Sequence, residues 1–218
     1  MRVVIAGGHG KIALLLERLL AERGDQAVGL IRNPAHIADV HRAGAEAVVC
    51  DLEAASAEEV AVLLSRADAV VFAAGAGPGS GAPRKDSVDR AASVLLADAA
   101  ERAGVRRFVQ VSSMGASQPP RPGSDEVWAA YITAKTAAEA DLRGRDLDWT
   151  ILRPGGLTDA PATGKIRLAP PPLPRGTVPR ADVAAVIAAL LDTPGTRNHT
   201  LELTGGDTPV APSVHSIS

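Results

Sequence analysis

Short apolar runs alternate with longer stretches of mixed polarity along residues 1–152. Six of these runs are rich in valine, isoleucine and alanine and almost uninterrupted, which is typical of strands buried on both faces. The runs that we predict as strands are Val3–Ala6, Ala27–Ile31, Ala47–Cys50, Ala69–Phe72, Arg107–Val111 and Trp149–Leu152.

The stretches between these runs carry apolar residues at helical spacing. The first has an apolar face made by Ile12, Leu15, Leu16, Leu19 and Leu20. This helix is predicted to end at Arg23-Gly24, where glycine follows the last turn. Further helices are predicted over Pro34–Ala43, Ser56–Arg66, Asp86–Ala103 and Ala129–Arg143. Regular alternation of strand and helix predicts an α/β fold, a doubly wound Rossmann-type parallel sheet with helices on both faces.

The alternation stops after Arg153. Prolines are frequent in Pro154–Pro179, which is therefore predicted to be an irregular covering segment. A helix is predicted to begin at Asp182 as N-cap, followed by a strand at Thr200–Leu203 and a frayed tail. No repeat or linker is visible, so residues 1–218 are predicted to form a single domain, with 154–218 as a small extension of 1–153.

The composition narrows the classes of function. Net charge is −2 and aromatic residues make up 2% of the chain, so neither a basic face nor stacking platforms for nucleic acid are expected. The one cysteine, the lack of a signal peptide and the lack of an apolar run long enough to span a membrane predict a cytoplasmic protein without membrane contact. The five histidines are scattered, so no metal site is predicted.

A glycine turn joins the first strand to the first helix. Gly7 and Gly10, with Ala13 three residues later, match the pattern G-x-x-G-x-x-G with alanine at the last position. Gly7 permits the tight turn, Gly10 lets a pyrophosphate approach the backbone, and the helix N-terminus attracts its charge. We therefore predict that residues 1–153 bind a dinucleotide and that 154–218 lie on the substrate side.

The residue that ends the second strand selects between the two common dinucleotides. An acid there binds the ribose 2′-hydroxyl of NAD, whereas an arginine binds the 2′-phosphate of NADP. Arg32 holds this position without an adjacent acid, so NADP(H) is predicted, with NAD(H) as the alternative. Asp51 either hydrogen-bonds the adenine amino group or only forms a turn. The cofactor-binding residues predicted up to this point of the chain are Gly7, His9, Gly10, Lys11, Ile12, Arg32, Asn33, Asp51, Leu52, Ala73, Ala74 and Gly75.

The chain's single tyrosine, Tyr131, precedes Lys135 by four residues. On a helix this spacing places both side chains on one face, where the ammonium favours the phenolate form of the tyrosine. Such a tyrosine can serve as general acid in carbonyl reduction or as base in alcohol oxidation. Ser113, at the end of the fifth strand, is a candidate for hydrogen-bonding the substrate oxygen.

Four motifs together resemble the short-chain dehydrogenase/reductase superfamily: the glycine turn, Val111-Ser112-Ser113, Tyr131–Lys135 and Arg153–Thr158. The similarity is closest to its atypical branch of small NAD(P)-binding proteins, described as NAD-dependent epimerase/dehydratase-like or NmrA-like. It extends over nearly the whole chain, including Val178–Ala184 and Leu203–Gly206.

The resemblance implies a role for each motif. It makes Ser113 the group that polarises the carbonyl, Tyr131 the acid or base, and Lys135 the ribose anchor that tunes the tyrosine. It also places the loop Pro154–Leu157 beside the nicotinamide, which adds Ser112, Pro154, Gly155 and Leu157 to the predicted cofactor-binding residues. The chain departs from the family in having no asparagine at a catalytic position, because its only two are Asn33 and Asn198. The segment after Arg153 is also shorter than the substrate region of full nucleotide-sugar epimerases.

These observations predict an NADP(H)-dependent oxidoreductase that acts on a small carbonyl or alcohol through Ser113, Tyr131 and Lys135. Two alternatives stay open. One is an NmrA-like redox sensor that binds NADP without turnover, and the other is a sugar epimerase or dehydratase. The predicted partner is a small-molecule substrate, and the chain is expected to be a monomer or a homodimer.

Overall fold

The computed structural model describes residues 1–77, 79–116, 118–119, 123 and 125–217. Each of the six predicted strands is present within two residues of its predicted ends. They are β1 (Arg2–Ala6), β2 (Gln26–Ile31), β3 (Glu46–Val49), β4 (Ala69–Phe72), β5 (Arg107–Val111) and β6 (Asp148–Pro154). The predicted burial on both faces is wrong for β3, where Val49 is 50% exposed, because this strand lies at the edge of the sheet.

The predicted helices are present in the predicted order with different ends, and two further helices, the fourth and the last, lie where none is predicted. They are α1 (Lys11–Glu22), α2 (Ile37–Arg42), α3 (Ala57–Leu63), α4 (Gly81–Arg84), α5 (Ala92–Ala103), α6 (Glu126–Arg143), α7 (Arg180–Leu191) and α8 (Val210–His215). The helix predicted over Asp86–Ala103 is divided, since a π-helical turn at Lys85–Ala91 precedes α5. The helix predicted over Pro34–Ala43 begins with a 3₁₀ turn, Pro34–His36. No helix in the described part of the chain is long and apolar enough to cross a membrane.

Five further strands follow β6: β7 (Gly156–Thr158), β8 (Lys165–Ala169), β9 (Thr177–Pro179), β10 (His199–Gly205) and β11 (Thr208–Pro209). The described residues form a nine-stranded sheet in the order β11-β8-β10-β6-β5-β4-β1-β2-β3, and β7 pairs with β9 separately. The strands from β3 to β10 in this order are parallel, as predicted, but β8 and β11 pair antiparallel at one edge. The sheet of this Rossmann-like fold is therefore mixed. The boundary at residue 153 stays a prediction, although strands from both sides of it share the sheet.

Three expectations for the C-terminal region are wrong. Pro154–Pro179 is not wholly irregular, because β7, β8 and β9 form within it. Asp182 is not an N-cap: α7 begins at Arg180, and the buried Asp182 carboxylate instead accepts hydrogen bonds from the backbone of Thr163 and Gly164. The tail is not frayed, since α8 packs on the core through the fully buried Val214.

Alternating strand residues enter two separate cores. Val3 and Ile5 of β1 pack beneath α1 and α7, whereas Val4 and Ala6 of the same strand pack beneath α3 and α5. This is the consequence of a strand buried on both faces, since successive side chains point to opposite sides of the sheet. The two cores hold the carboxyl ends of the parallel strands at one edge of the molecule, where a cleft lies.

Candidate functional site

A cleft opens where the strand order reverses, between the carboxyl ends of β1 and β4. This is the position at which doubly wound sheets bind their ligands. The cavity has a volume of about 370 Å³. It brings together ten of the sixteen predicted cofactor-binding residues, namely Gly7, His9, Gly10, Arg32, Asn33, Asp51, Leu52, Ala73, Ala74 and Gly75.

Two glycines keep the floor of this cleft open. Gly7 has a φ of +81°, and a Cβ at this residue would lie 2.6 Å from Ala74 Cα, so only glycine fits. A Cβ at Gly10 would meet the Gly7 carbonyl oxygen at 3.1 Å and narrow the cleft. Gly10 is also the N-cap of α1 and supplies no side-chain cap, which leaves the N–H groups of the first turn for an anion. The geometry fits the pyrophosphate of a dinucleotide.

The basic side chains of the glycine turn contact other side chains of the same chain. The His9 ring stacks on His36, with ring centroids 3.5 Å apart, and its Nε2 lies 2.8 Å from the Asp39 carboxylate. Lys11 points away from the cavity and pairs with Asp159 at 2.6 Å. Ile12 is partly buried against the core on the α1 side. His9 thus lines the cleft, and Lys11 connects α1 to the segment that follows β7.

The outer rim of the cleft is charged. Arg32 reaches it from the end of β2 and donates a hydrogen bond to Glu53 at 2.9 Å. The Asp51 carboxylate accepts a hydrogen bond from the Glu53 backbone N–H at 3.0 Å, which is the turn role that the sequence left open. Sequence reasoning missed Glu53, because its partner Arg32 lies 21 residues away.

Tyr131 and Lys135 lie on one face of α6, as their spacing predicts. The Lys135 ammonium is 5.8 Å from the centroid of the tyrosine ring and donates a hydrogen bond to the Val111 carbonyl at 3.1 Å. The tyrosine is half-buried, and a second ammonium, that of Lys85, lies 5.6 Å from the ring centroid. The tyrosine ring therefore lies beside two ammonium groups.

Asp89 connects this pair to the cleft, and sequence reasoning missed it. One carboxylate oxygen lies 3.2 Å from the Lys135 nitrogen, and the other accepts a hydrogen bond from the Ala76 N–H at 3.2 Å. Ala76 belongs to the turn after β4 that lines the cavity. Asp89 falls on the apolar face of the predicted helix. A carboxylate at such a position is the sequence feature that could have identified Asp89 as a residue of the site.

The two serines that end β5 have different surroundings. Ser113 is half-buried, and its hydroxyl donates a hydrogen bond to the Met114 carbonyl at 3.3 Å. The Ser112 hydroxyl is directed inward and donates to the buried Glu139 carboxylate at 2.6 Å. A cofactor could therefore contact Ser112 only through its backbone.

Glu139 is the centre of a buried polar network behind the serines. It accepts hydrogen bonds from Ser112 and from two nitrogens of Arg153, one of them at 2.8 Å. Burial acts to raise the pKa of Glu139, but the hydrogen bonds from Arg153 and Ser112 outweigh it and hold the pKa below its usual value. The ionised carboxylate ties α6 to β5 and β6, and so positions the helix that carries Tyr131.

The loop that follows β6 approaches the end of β5. The Met114 N–H donates to the Pro154 carbonyl at 3.0 Å. Gly155 has no room for a side chain, since a Cβ would lie 2.3 Å from the Gly176 carbonyl oxygen. Leu157 is 39% exposed and offers an apolar surface. The described residues contain no cluster of three or more side chains suited to a metal ion.

The sequence profile of a family described as NAD(P)H-binding matches residues 7–194. An uncharacterised sugar epimerase of Bacillus subtilis, YhfK, is 36% identical over 218 residues, which cover 100% of both chains. Among solved structures, an NAD-dependent epimerase/dehydratase from Bacillus halodurans is similar, with a TM-score of 0.90 and 36% identity over 98% of each chain. The oxidoreductase ylbE from Lactococcus lactis has a TM-score of 0.86 and 28% identity, covering 100% of this chain and 96% of its own.

Proposed function

The chain belongs to the NAD(P)H-binding family, and we propose that it is an NADP(H)-dependent oxidoreductase that interconverts a small carbonyl compound and its alcohol. The observation that carries this proposal is the placement of the Lys135 ammonium 5.8 Å from the centroid of the Tyr131 ring. A binding protein without turnover needs no ionisable phenol beside a buried cation. A catalyst that uses a phenol as its general acid or base gains from a cation placed beside it.

Each residue of the site has a chemical role in this reaction. Reduction adds a hydride, which bound NADPH would supply, and a proton, which Tyr131 would deliver to the carbonyl oxygen. The Lys135 ammonium would lie beside the tyrosine ring, 5.8 Å from its centroid, during this proton transfer. The Ser113 hydroxyl would hold the substrate oxygen by a hydrogen bond. Asp89 would act as a positioning residue, because its carboxylate holds the Lys135 ammonium at the end of β5.

The preference for NADP(H) over NAD(H) is supported by the rim of the cleft. Arg32 lines the cleft at the end of β2, the position from which an arginine accommodates the 2′-phosphate of NADP in doubly wound folds. The acid beside it, Glu53, is shared with a second arginine, Arg84, so that these three side chains carry two positive charges and one negative charge, next to the Asp51 carboxylate. An excess of positive charge favours the phosphorylated cofactor.

The names of YhfK and of the Bacillus halodurans protein favour a second candidate, a sugar epimerase or dehydratase. The described residues after Pro154 argue for a smaller substrate. In this part of the chain, β8 and β10 complete the main sheet and α7 packs on α1, so these elements form no separate substrate region.

The test is an assay of NADPH oxidation with a panel of small aldehydes, ketones and quinones, using wild type and Tyr131→Phe. The phenyl ring keeps the packing with Trp128, and only the hydroxyl is lost. We expect an active wild type and a variant that is about 10²–10⁴-fold slower at unchanged NADPH affinity. An unchanged rate in Tyr131→Phe would contradict the mechanism. Tight NADPH binding without activity on any carbonyl would favour a redox sensor, and activity on nucleotide sugars alone would favour the epimerase.

A further inference from the structure

Two arginines from distant segments share one carboxylate oxygen at the rim of the cleft. Arg32, at the end of β2, and Arg84, at the end of α4, reach Glu53 Oε2 at 2.9 and 2.6 Å. The Ser87 hydroxyl donates to the other oxygen, Oε1, at 2.6 Å. We call Arg32, Glu53 and Arg84 the rim cluster.

The rim cluster faces the cavity and keeps a net positive charge. All three residues line the cavity, together with Asn33 and His36. Hydrogen bonds from Arg84 and then Ser87 hold the pKa of Glu53 below its usual value, so the carboxylate is ionised at neutral pH. One negative charge is thus set against two guanidinium groups.

The two guanidinium groups have more N–H donors than their contacts with Glu53 require. Each carries five N–H donors in a planar fork, and in the described part of the chain each directs one nitrogen to Glu53. Because both nitrogens reach the same oxygen, they are close enough for the oxygens of one phosphate group to contact both. A phosphate offers more charge and more acceptors than the carboxylate that it would replace.

We propose that Glu53 occupies the place of the 2′-phosphate of NADP(H), and that Arg84 is a second specificity-determining residue that binds this phosphate with Arg32. The inference rests on the proposed preference for NADP(H). Glu53 keeps both guanidinium groups in position, and the phosphate must displace it. Glu53 therefore opposes NADPH binding, while Arg84 contributes to it.

A purely structural role of the Arg84–Glu53 contact would have a different effect on cofactor binding. If the Arg84–Glu53 bridge only closed the cleft over the adenine ring, its loss would weaken NADPH and NADH equally, because both carry adenine. The 2′-phosphate is present in NADPH alone. Comparison of the two cofactors therefore separates the roles without any knowledge of the substrate.

The experiment is titration calorimetry of NADPH and NADH on wild type, Arg84→Gln, Arg84→Lys and Glu53→Gln at one fixed salt concentration. We expect Arg84→Gln to weaken NADPH about tenfold, and Glu53→Gln to tighten it by up to about tenfold. Arg84→Lys, which keeps the charge without the fork, falls between wild type and Arg84→Gln. NADH affinity stays within about twofold throughout, since it has no phosphate at this position.

The exposed pair Arg102–Glu58, 2.7 Å apart, provides matched controls. Arg102→Gln and Glu58→Gln make the same changes of charge away from the cleft, and we expect both cofactors to bind as in wild type. Thermal melting confirms that each variant folds, which the exposure of Arg84 favours.

Three results would overturn the inference. Equal loss of NADPH and NADH affinity in Arg84→Gln would show that Arg84 only closes the cleft. Unchanged or weaker NADPH binding in Glu53→Gln would show that Glu53 does not compete with the phosphate. A wild type that binds both cofactors equally would refute the cofactor preference itself, whereas the first two results with an intact preference would refute only the roles of Arg84 and Glu53.

Discussion

The Lys135 ammonium lies 3.2 Å from the Asp89 carboxylate, and the two side chains are 4% and 1% exposed. A buried ion pair stabilises little by itself, because both charges lose their hydration, but an unpaired charge at the same place is costly. Each partner therefore requires the other. The pair lies between Tyr131 and the turn that carries Ala76, so the same contact supports both the fold and the site.

We expect Asp89→Leu and Lys135→Met each to lower the free energy of unfolding by about 3–5 kcal/mol, because each leaves a buried charge alone. The double variant should recover most of this loss. Urea denaturation of the four proteins forms a double-mutant cycle. Asp146→Asn, which breaks the exposed pair with Arg106, is the control and should cost less than about 1 kcal/mol. Additive losses in the double variant would show that the two residues are not coupled.

Replacement of Arg32 tests the cofactor preference. Arg32→Ala removes a charge-assisted contact worth about 1.5–3 kcal/mol, so NADPH affinity should fall about tenfold to a hundredfold. NADH affinity should change little, because its 2′-hydroxyl carries no charge. Calorimetry of both cofactors measures the difference, and equal affinities in wild type or an unchanged preference in the variant would refute the assignment.

Replacement of the two turn glycines by alanine should have different effects on folding and on cofactor binding. Gly7→Ala combines a φ of +81° with a contact of 2.6 Å to Ala74 Cα and should prevent stable folding. Gly10 has an ordinary φ of −66°, so Gly10→Ala should fold but bind NADPH and NADH more weakly. Gly24, at φ +84° with no neighbour within 4 Å, is the control, and its alanine variant should lose only about 1–2 kcal/mol of stability. Melting curves measure the loss of stability caused by backbone strain, and cofactor titration measures the loss of affinity caused by a side chain in the cleft. Full cofactor affinity in Gly10→Ala would contradict the assignment of this turn to the pyrophosphate.

Glu17 should make stability depend on pH. Its side chain is fully buried against Gly8 and Gly29, and no hydrogen-bond partner for its carboxyl group is present among the described residues. Burial raises its pKa from 4.5 to about 8. The unfolded chain therefore releases this proton first, and the stabilisation present below pH 4.5 is lost as the pH rises to about 8.

The expected loss is about 1.4 kcal/mol for each pH unit in that interval. Glu17→Gln cannot ionise, so it should match wild type near pH 4.5 and exceed it by several kcal/mol at pH 8. Urea denaturation at both pH values measures the difference, with Glu58→Gln as an exposed control. Parallel pH profiles of wild type and Glu17→Gln would show that Glu17 does not titrate as a buried acid.

The local pattern of apolar and polar residues was sufficient to predict much of the fold. Strand positions follow from uninterrupted apolar runs, and the glycine turn and the pairing of Tyr131 with Lys135 involve residues within one or two turns of each other. Interactions of this kind do not depend on the rest of the molecule. The pattern failed at Pro154–Pro179, where strand pairing with partners distant in sequence overrides the local effect of proline.

The polar partners of the site were decided by tertiary contacts. Asp89 meets Lys135 across 46 positions of the chain, Arg84 meets Glu53 across 31, and Ser112 meets Glu139 across 27. Which of the 25 acidic residues meets which of the 23 basic ones depends on the order of strands in the sheet and on which helix covers each face. Neither is a property of a short segment, because the free energy of burying these charges exists only once the sheet and its helices have assembled.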